Sequence, residues 1–157
     1  MQIELKERTE ETVRTYFRET RDAQVRRFLP QKAETEAEAL ADFHKTSLPG
    51  ASSFGRTIYA DGCHVGDIWC YCLQDEEPNA MVSYCIFRKE YWGRGIATAA
   101  LGMFLAEIGT KFAVKTVGAF TFSANLASIR VLQKNGFADV ETFYEDGVES
   151  KYLQRNG

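Results

Sequence analysis

Apolar and polar positions alternate along this chain with a period that changes several times. In "QIELKE", Ile3 and Leu5 alternate with polar neighbours, which predicts a short first strand. The stretch "TEETVRTYFRETRDAQVRRFL" reads as one or two helices. Thr9 followed by Glu10 and Glu11 suits a helix N-terminus, and Pro30 marks a stop. "ETEAEALADFHKTS" reads as a polar helix with Ala37, Leu40, Ala41 and His44 near one face, and "PGASS" as a loop. Three strand-like segments follow: "FGRTIYA", "CHVGDIWCYCL" and "NAMVSYCIF". Turn signals at Asp61-Gly62 and at Asp75 to Asn79 separate them, which predicts an antiparallel meander. In the third segment Val82, Tyr84 and Ile86 face one way, Cys85 and Phe87 the other. Both sets are largely apolar, as in a central strand covered on both sides.

Beyond Phe87 the period lengthens. Ile96, Ala100, Phe104, Ile108 and Phe112 recur at helical spacing, with Ala97, Leu101 and Leu105 beside them, which predicts a long apolar helix. "TVGAFTF" is a further strand, apolar on both faces. "NLASIRVLQKNGF" reads as a helix closed by Gly136, a residue suited to the left-handed position after a helix end. "ADVETFYEDGVESKYLQ" is a final hairpin turning at Asp146-Gly147. No repeat, low-complexity tract or linker divides residues 1–157. A meander followed by strand and helix in alternation predicts one α/β (α+β) domain with a mixed sheet.

Composition narrows the classes. The chain is 45% hydrophobic and 26% charged with 3 prolines, which fits an ordinary globular domain long enough to bury a core. A formal net charge of -3 argues against a nucleic-acid partner. The first residues lack the basic-then-apolar pattern of a secretory signal, and no apolar run is long enough to cross a bilayer. The expected location is therefore cytoplasmic, with no membrane partner. Cys63, Cys70, Cys72 and Cys85 match no paired zinc-ligand spacing, so no metal is expected. Cys70 and Cys72 are predicted to share a sheet face, and buried reduced thiols are the favoured reading of all four.

Candidate chemistry concentrates in "KEYWGRGIATAAL", Lys89 to Leu101, where a pair of glycines opens the long helix. The first turn of a helix leaves backbone N–H groups without partners, and the macrodipole adds about half a positive charge there. Gly93 and Gly95 remove the Cβ atoms that would hold a phosphate away. Arg94 supplies a cation and Thr98 a hydroxyl. A tight turn that uses glycine for geometry alone explains the same residues. No Walker loop is present, and the dinucleotide fingerprint would need a small residue at Thr98 and an N-terminal βαβ unit.

"YWGRGIATAAL" followed by "NLASIRVLQKNGF" resembles the GNAT superfamily of acyl-CoA-dependent N-acetyltransferases, most closely its RimJ/RimL-like branch (the ribosomal-protein-alanine type), which acetylates protein N-terminal amines. The family loop [QR]-x-x-G-x-[GA] aligns with Trp92-Gly93-Arg94-Gly95-Ile96-Ala97, Trp92 standing for the usual Gln or Arg. The second block fits through Asn125, Ser128, Leu132, Lys134, Gly136 and Phe137. The resemblance spans nearly the whole chain. It implies a single GNAT-like domain over residues 1–157, its mostly antiparallel sheet of six or seven strands flanked by helices on both faces. It further implies that acetyl-CoA lies in a V-shaped opening between the strands ending at Phe87 and near Phe122. Backbone N–H groups from Trp92 through Gly93, Arg94, Gly95, Ile96 and Ala97 to Thr98 would hold the diphosphate. Exposed backbone at Ile86, Phe87 and Arg88 would pair with the pantetheine arm like an added strand. Asn125 would contact the pantetheine amide, with Ser128 nearby. Arg130 and Lys134 would reach the adenine-side phosphates, although solvated helix charges explain both as well.

The reaction implied is direct attack of a primary amine, on a protein N-terminus or a small molecule, upon the thioester. Many family members carry a Tyr seven residues after the Asn as acid for the thiolate; Leu132 stands there in this chain. Ser128 shares a helical face with Asn125 and is the nearest replacement donor, so Ser128 and Asn125 are the catalytic candidates. For the base, His44 is the more attractive of the two histidines; His64, Asp67, Glu141 and Glu145 are alternatives. Tyr84 is a candidate lining of the acyl pocket. A non-catalytic acyl-CoA-binding or sensing domain is the rival reading, and a homodimer through the C-terminal strands is an added expectation.

Overall fold

Capping side chains and left-handed residues set most element boundaries. The computed structural model describes residues 1–29, 33–73 and 80–156. The stop expected at Pro30 and the turn expected at Asp75–Asn79 lie outside them. In chain order the described elements are β1 (Ile3–Lys6), α1 (Glu10–Glu19), α2 (Ala23–Arg26), α3 (Glu36–Lys45), β2 (Phe54–Ala60), β3 (Cys63–Tyr71) and β4 (Ala80–Ile86). After a 3₁₀ turn at Lys89–Tyr91 come α4 (Ile96–Phe112), β5 (Thr116–Phe122), α5 (Leu126–Lys134), β6 (Ala138–Glu145) and β7 (Val148–Asn156).

Thr9 caps α1 reciprocally: its Oγ1 accepts from Thr12 N at 3.2 Å, and Thr12 Oγ1 accepts from Thr9 N at 2.9 Å. At the end of α5, Gly136 (φ +84°) lets Phe137 N–H reach Leu132 O at 3.1 Å while Gly136 N–H bonds Gln133 O at 3.0 Å. That closure buries Leu132 and Phe137 against each other's end of the turn. Both predicted Asp-Gly hairpin turns form with left-handed backbone at each central residue: Asp61 and Gly62, then Asp146 and Gly147.

The sheet has the order β1-β2-β3-β4-β5-β7-β6, and its pairs are antiparallel except β4 with β5. Among the described residues that parallel pair joins at Ala80↔Val117 and Met81↔Gly118, and beyond Met81 the strands part. The expected V-shaped opening is therefore a property of the register. On one face α4 and α5 bury Phe104, Leu101, Ile108 and Leu132 against Ile58, Ile68, Val82, Ala119 and Leu153. Each such side chain contributes about 1.5–3 kcal/mol relative to exposure. On the other face Tyr16 of α1, Val25 of α2 and Leu29 beyond it pack on Cys85 and Phe87. The two faces of β4 divide as the alternation predicted.

Two sequence expectations are corrected. β3 ends at Tyr71 and Cys72 takes φ +60°, so alternation stops and Cys72 does not share the face of Cys70. Phe112, the last member of the helical apolar series, is 38% exposed, its ring meeting Phe54 at the start of β2 edge-on at 5.2 Å rather than entering the core. None of the four cysteines is paired in a disulfide, and burial pushes Cys70 and Cys85 up to about 12.

Candidate functional site

At the entrance to α4, Gly93 and Gly95 have φ +75° and +78°, a left-handed backbone that disfavours any residue with a Cβ. Gly95 is the N-cap of α4. No side chain caps that end, and its first turn holds no acidic residue. A Cβ placed on either glycine meets nothing within 4 Å, so the space beside the turn is open. Turn geometry and anion approach thus make the same demand on these positions. Ile96, 2% exposed, anchors the helix start in the core, whereas Trp92, Gly93, Arg94 and Gly95 are exposed and Ala97 and Thr98 half-buried. Asn135 Nδ2 donates to Thr98 O at 3.1 Å and to Val131 O at 2.9 Å, which ties this first turn to α5. The result is a fixed, electropositive helix end beside the gap between β4 and β5.

The strand end next to it differs from expectation. Trp92 Nε1 donates to Ile86 O at 2.7 Å. Phe87 and Arg88 N–H groups both point to Val65 O on β3, at 2.9 and 3.4 Å, and Arg88 Nε donates to His64 O at 2.9 Å. The polar groups expected at Ile86, Phe87 and Arg88 to meet a pantetheine arm are therefore already engaged within the protein. A strand-like partner there must displace the Trp92 indole or use the β4 edge between Val82 and Ile86.

Across the gap, Tyr84 on β4 reaches Ser128 on α5. Its hydroxyl donates to Ser128 O at 3.1 Å and shares a bond with Ser128 Oγ at 3.0 Å. Burial pushes the Tyr84 phenol up to about 12, against the opposing pull of the Ser128 bond, so it stays protonated at neutral pH. Asn125 is the N-cap of α5, its Oδ1 accepting from Ser128 N at 3.2 Å. Its amide oxygen is thus committed to the helix, and its NH₂ remains for other work. Leu132, 1% exposed, is a core residue. Arg130 and Lys134 are exposed on α5. The glycine turn, the Ile86 end of β4 and the Tyr84–Ser128 pair converge on one opening. Alternation placed Tyr84 on the correct face, but its bond to Ser128 had no sequence signal.

The candidate bases separate. His44 is 59% exposed and bonded to Glu10 at 3.2 Å. Phe43 beside it lines a cavity with Phe54, which is in register with Cys70 and through it with Val82, so His44 lies at the end of the sheet away from Ile86. His64 Nε2 bonds Asp67 Oδ1 at 2.8 Å, with Arg8 Nε 3.5 Å from Asp67 Oδ2; His64 and Asp67 are both nearly buried. Burial raises the Asp67 carboxyl, while His64 and Arg8 pull it back down. Glu141 and Glu145 are exposed on β6. Among the described residues no cluster of His, Cys, Asp and Glu could hold a metal ion, and no helix is long and apolar enough to cross a membrane.

No curated protein matches the chain by sequence. Solved structures do match in fold. AAC(6')-Ib, an aminoglycoside acetyltransferase in complex with coenzyme A and kanamycin, superposes with a TM-score of 0.82 at 14% identity, over 99% of this chain and 95% of that one. Spermidine N-acetyltransferase from Vibrio cholerae, in complex with CoA and spermine, gives 0.84 at 13% over 99% and 95%. Mycobacterium smegmatis RimJ in complex with CoA-disulfide gives 0.82 at 18% over 99% and 82%. At these identities the likeness is one of fold. The family model described as acetyltransferase (GNAT) domain matches residues 2–138. With that match covering most of the chain, and a glycine-opened helix end beside parted parallel strands, the protein belongs to the GNAT acetyltransferase family of acyl-CoA-dependent N-acetyltransferases.

Proposed function

We propose that this chain moves the acetyl group of acetyl-CoA to a primary amine by direct attack, and that it works in the cytoplasm. The observation that carries the reading is the bare N-terminus of α4, uncapped and cleared by two left-handed glycines, at the mouth of the β4–β5 gap. Backbone N–H groups from Gly93 to Thr98 bind the diphosphate, with Arg94 as a flanking cation. Acetyl-CoA supplies the activated thioester; the protein supplies position. Trp92 yields Ile86 O to the incoming arm, and the Asn125 amide holds it from α5. Ser128 donates a hydrogen bond to the departing sulfur, Tyr84 Oη positions that hydroxyl through its bond to Ser128 Oγ, and the thiolate ends with the proton that the attacking amine releases. The acceptor is a protein N-terminal amine, as in a RimJ/RimL-like branch, or a small amine. Both remain open, because the fold is shared with RimJ and with aminoglycoside and spermidine acetyltransferases.

The test is thiol release from acetyl-CoA with a panel of peptides bearing free N-termini, polyamines and aminoglycosides. Release with at least one acceptor, with an acetylated product identified by mass, is the expected result. Tight coenzyme binding without release for any acceptor assigns the chain instead to non-catalytic acyl-CoA binding.

A further inference from the structure

On the sheet face opposite α4 and α5, strands β5, β7 and β6 carry a row of aromatic rings. Register places Phe120 opposite Tyr152, and Ser150 between Phe122 and Phe143. Residues directly opposite share a face. Ring centroids of Phe120 lie 5.2 Å from Tyr152 and 5.8 Å from Phe143, and Phe28 closes on Phe122 at 6.0 Å. Phe120 is 57% exposed although it sits inside a central strand, while its neighbour Ala119 on the other face is 2% exposed. An exposed Phe120 ring among half-buried Phe122, Phe143 and Tyr152 marks a contact surface.

Among the described residues of β5, β6 and β7, the charge on this face is acidic. Glu141 and Glu145 alternate with Phe143 along β6 and share its side. The basic residues of the hairpin point the other way: Lys151 Nζ bonds Asp139 and Thr142, and Arg155 bonds Asn135 O at the end of α5. Among the described residues of β5, β6 and β7, no Lys or Arg shares the aromatic face. Arg27, over the Phe28 ring, stands at the rim beside α2.

We infer that this face receives the acceptor, and that the acceptor is an amine with a second positive charge. The reacting amine lies by Phe122 at the β4–β5 gap. The second cation rests over Phe120, Phe143 and Tyr152, beside Glu141 and Glu145. The inference rests on the acetyltransferase reading above and narrows it from any primary amine to a polycation. Ring faces attract ammonium groups, more strongly once water is excluded, and carboxylates at the edge add charge of the required sign. β6 lies two strands from β5, so the two nitrogens are separated by roughly 10 Å.

Octane-1,8-diamine spans that distance when extended; octylamine lacks the second charge and ethane-1,2-diamine the reach. The expected result is a kcat/KM for octane-1,8-diamine about ten-fold above the other two, read by thiol release. Phe120→Ala and Glu141→Gln each cut that advantage about three-fold or more. Equal kcat/KM for the three amines, or an advantage untouched by either variant, overturns the inference and leaves the acetyltransferase reading standing. If no amine releases thiol, that reading fails instead, and calorimetric binding of octane-1,8-diamine to wild type and Phe120→Ala decides the face by itself. A sedimenting dimer that Phe120→Asp converts to monomer, with amine preference unchanged, gives the face to a second copy and overturns the inference.

Discussion

Replacing Gly95 by Ala separates the two demands that meet at the α4 entrance. Gly95 has φ +78°, and a Cβ there meets no atom of the protein within 4 Å. Within the protein the substitution therefore costs only the left-handed backbone, about 1–2 kcal/mol. If the same space takes the diphosphate, the methyl group also displaces an anion from the N–H groups of Ile96 and Ala97. A hydrogen bond to a charged group is worth about 1.5–3 kcal/mol, so the loss of one weakens coenzyme A about ten- to a hundred-fold. Gly50 provides the control, with φ +72° and equally open surroundings in the loop before β2. Urea unfolding should show similar destabilisation for Gly95→Ala and Gly50→Ala, whereas calorimetric titration with coenzyme A should show weakening for Gly95→Ala alone. Equal coenzyme affinity in both variants refutes the cradle and leaves the glycines as turn formers.

Three further outcomes follow from the geometry. Ser128→Ala should lower kcat about ten-fold or more with little change in KM for acetyl-CoA, and Tyr84→Phe should lower it less because Ser128 Oγ survives; steady-state thiol release checks both. Coenzyme binding should change the emission of Trp92 as its indole leaves Ile86 O, and Trp92→Phe, which keeps only Trp69, should abolish the change in a fluorescence titration. Asp67 gives a pH signature. Its carboxyl is raised above 3.8 by burial, so the folded protein holds that proton to higher pH than the unfolded chain. The contribution is complete below about 3.8 and is lost as pH rises through the folded value. Wild-type unfolding free energy minus that of Asp67→Asn should therefore fall with pH above 3.8, and a flat difference refutes the assignment.

Local signals carried the elements well. Helical spacing from Ile96 onward, the Thr9 start, the Gly136 stop and both Asp-Gly turns all mark real boundaries, because each depends on residues within a few positions of one another. The two glycine-bearing blocks likewise mark the entrance to α4 and the end of α5. What the sequence hid was partner choice across the sheet. Tyr84 and Ser128 are 44 positions apart, and their bond exists because α5 is set beside β4 by the crossover from β5. Trp92 folding back on Ile86 follows from the 3₁₀ turn between them, which no periodicity announces. His44 looked better placed than it is, since helical spacing gives a face but not which end of the sheet the helix approaches. The insertion of β7 between β5 and β6 was equally illegible, and it gathers the aromatic row onto one surface.

Among the described residues β4 and β5 share two rungs, so the sheet divides there into two leaves, β1 to β4 and β5 with β7 and β6. Outside those rungs the leaves are held by α4 lying across both and by the Tyr84–Ser128 clasp. A ligand seated in the seam would bridge the two leaves, so loading it should stiffen the molecule, and slower amide exchange in β4 and β5 with coenzyme A bound is the expected sign.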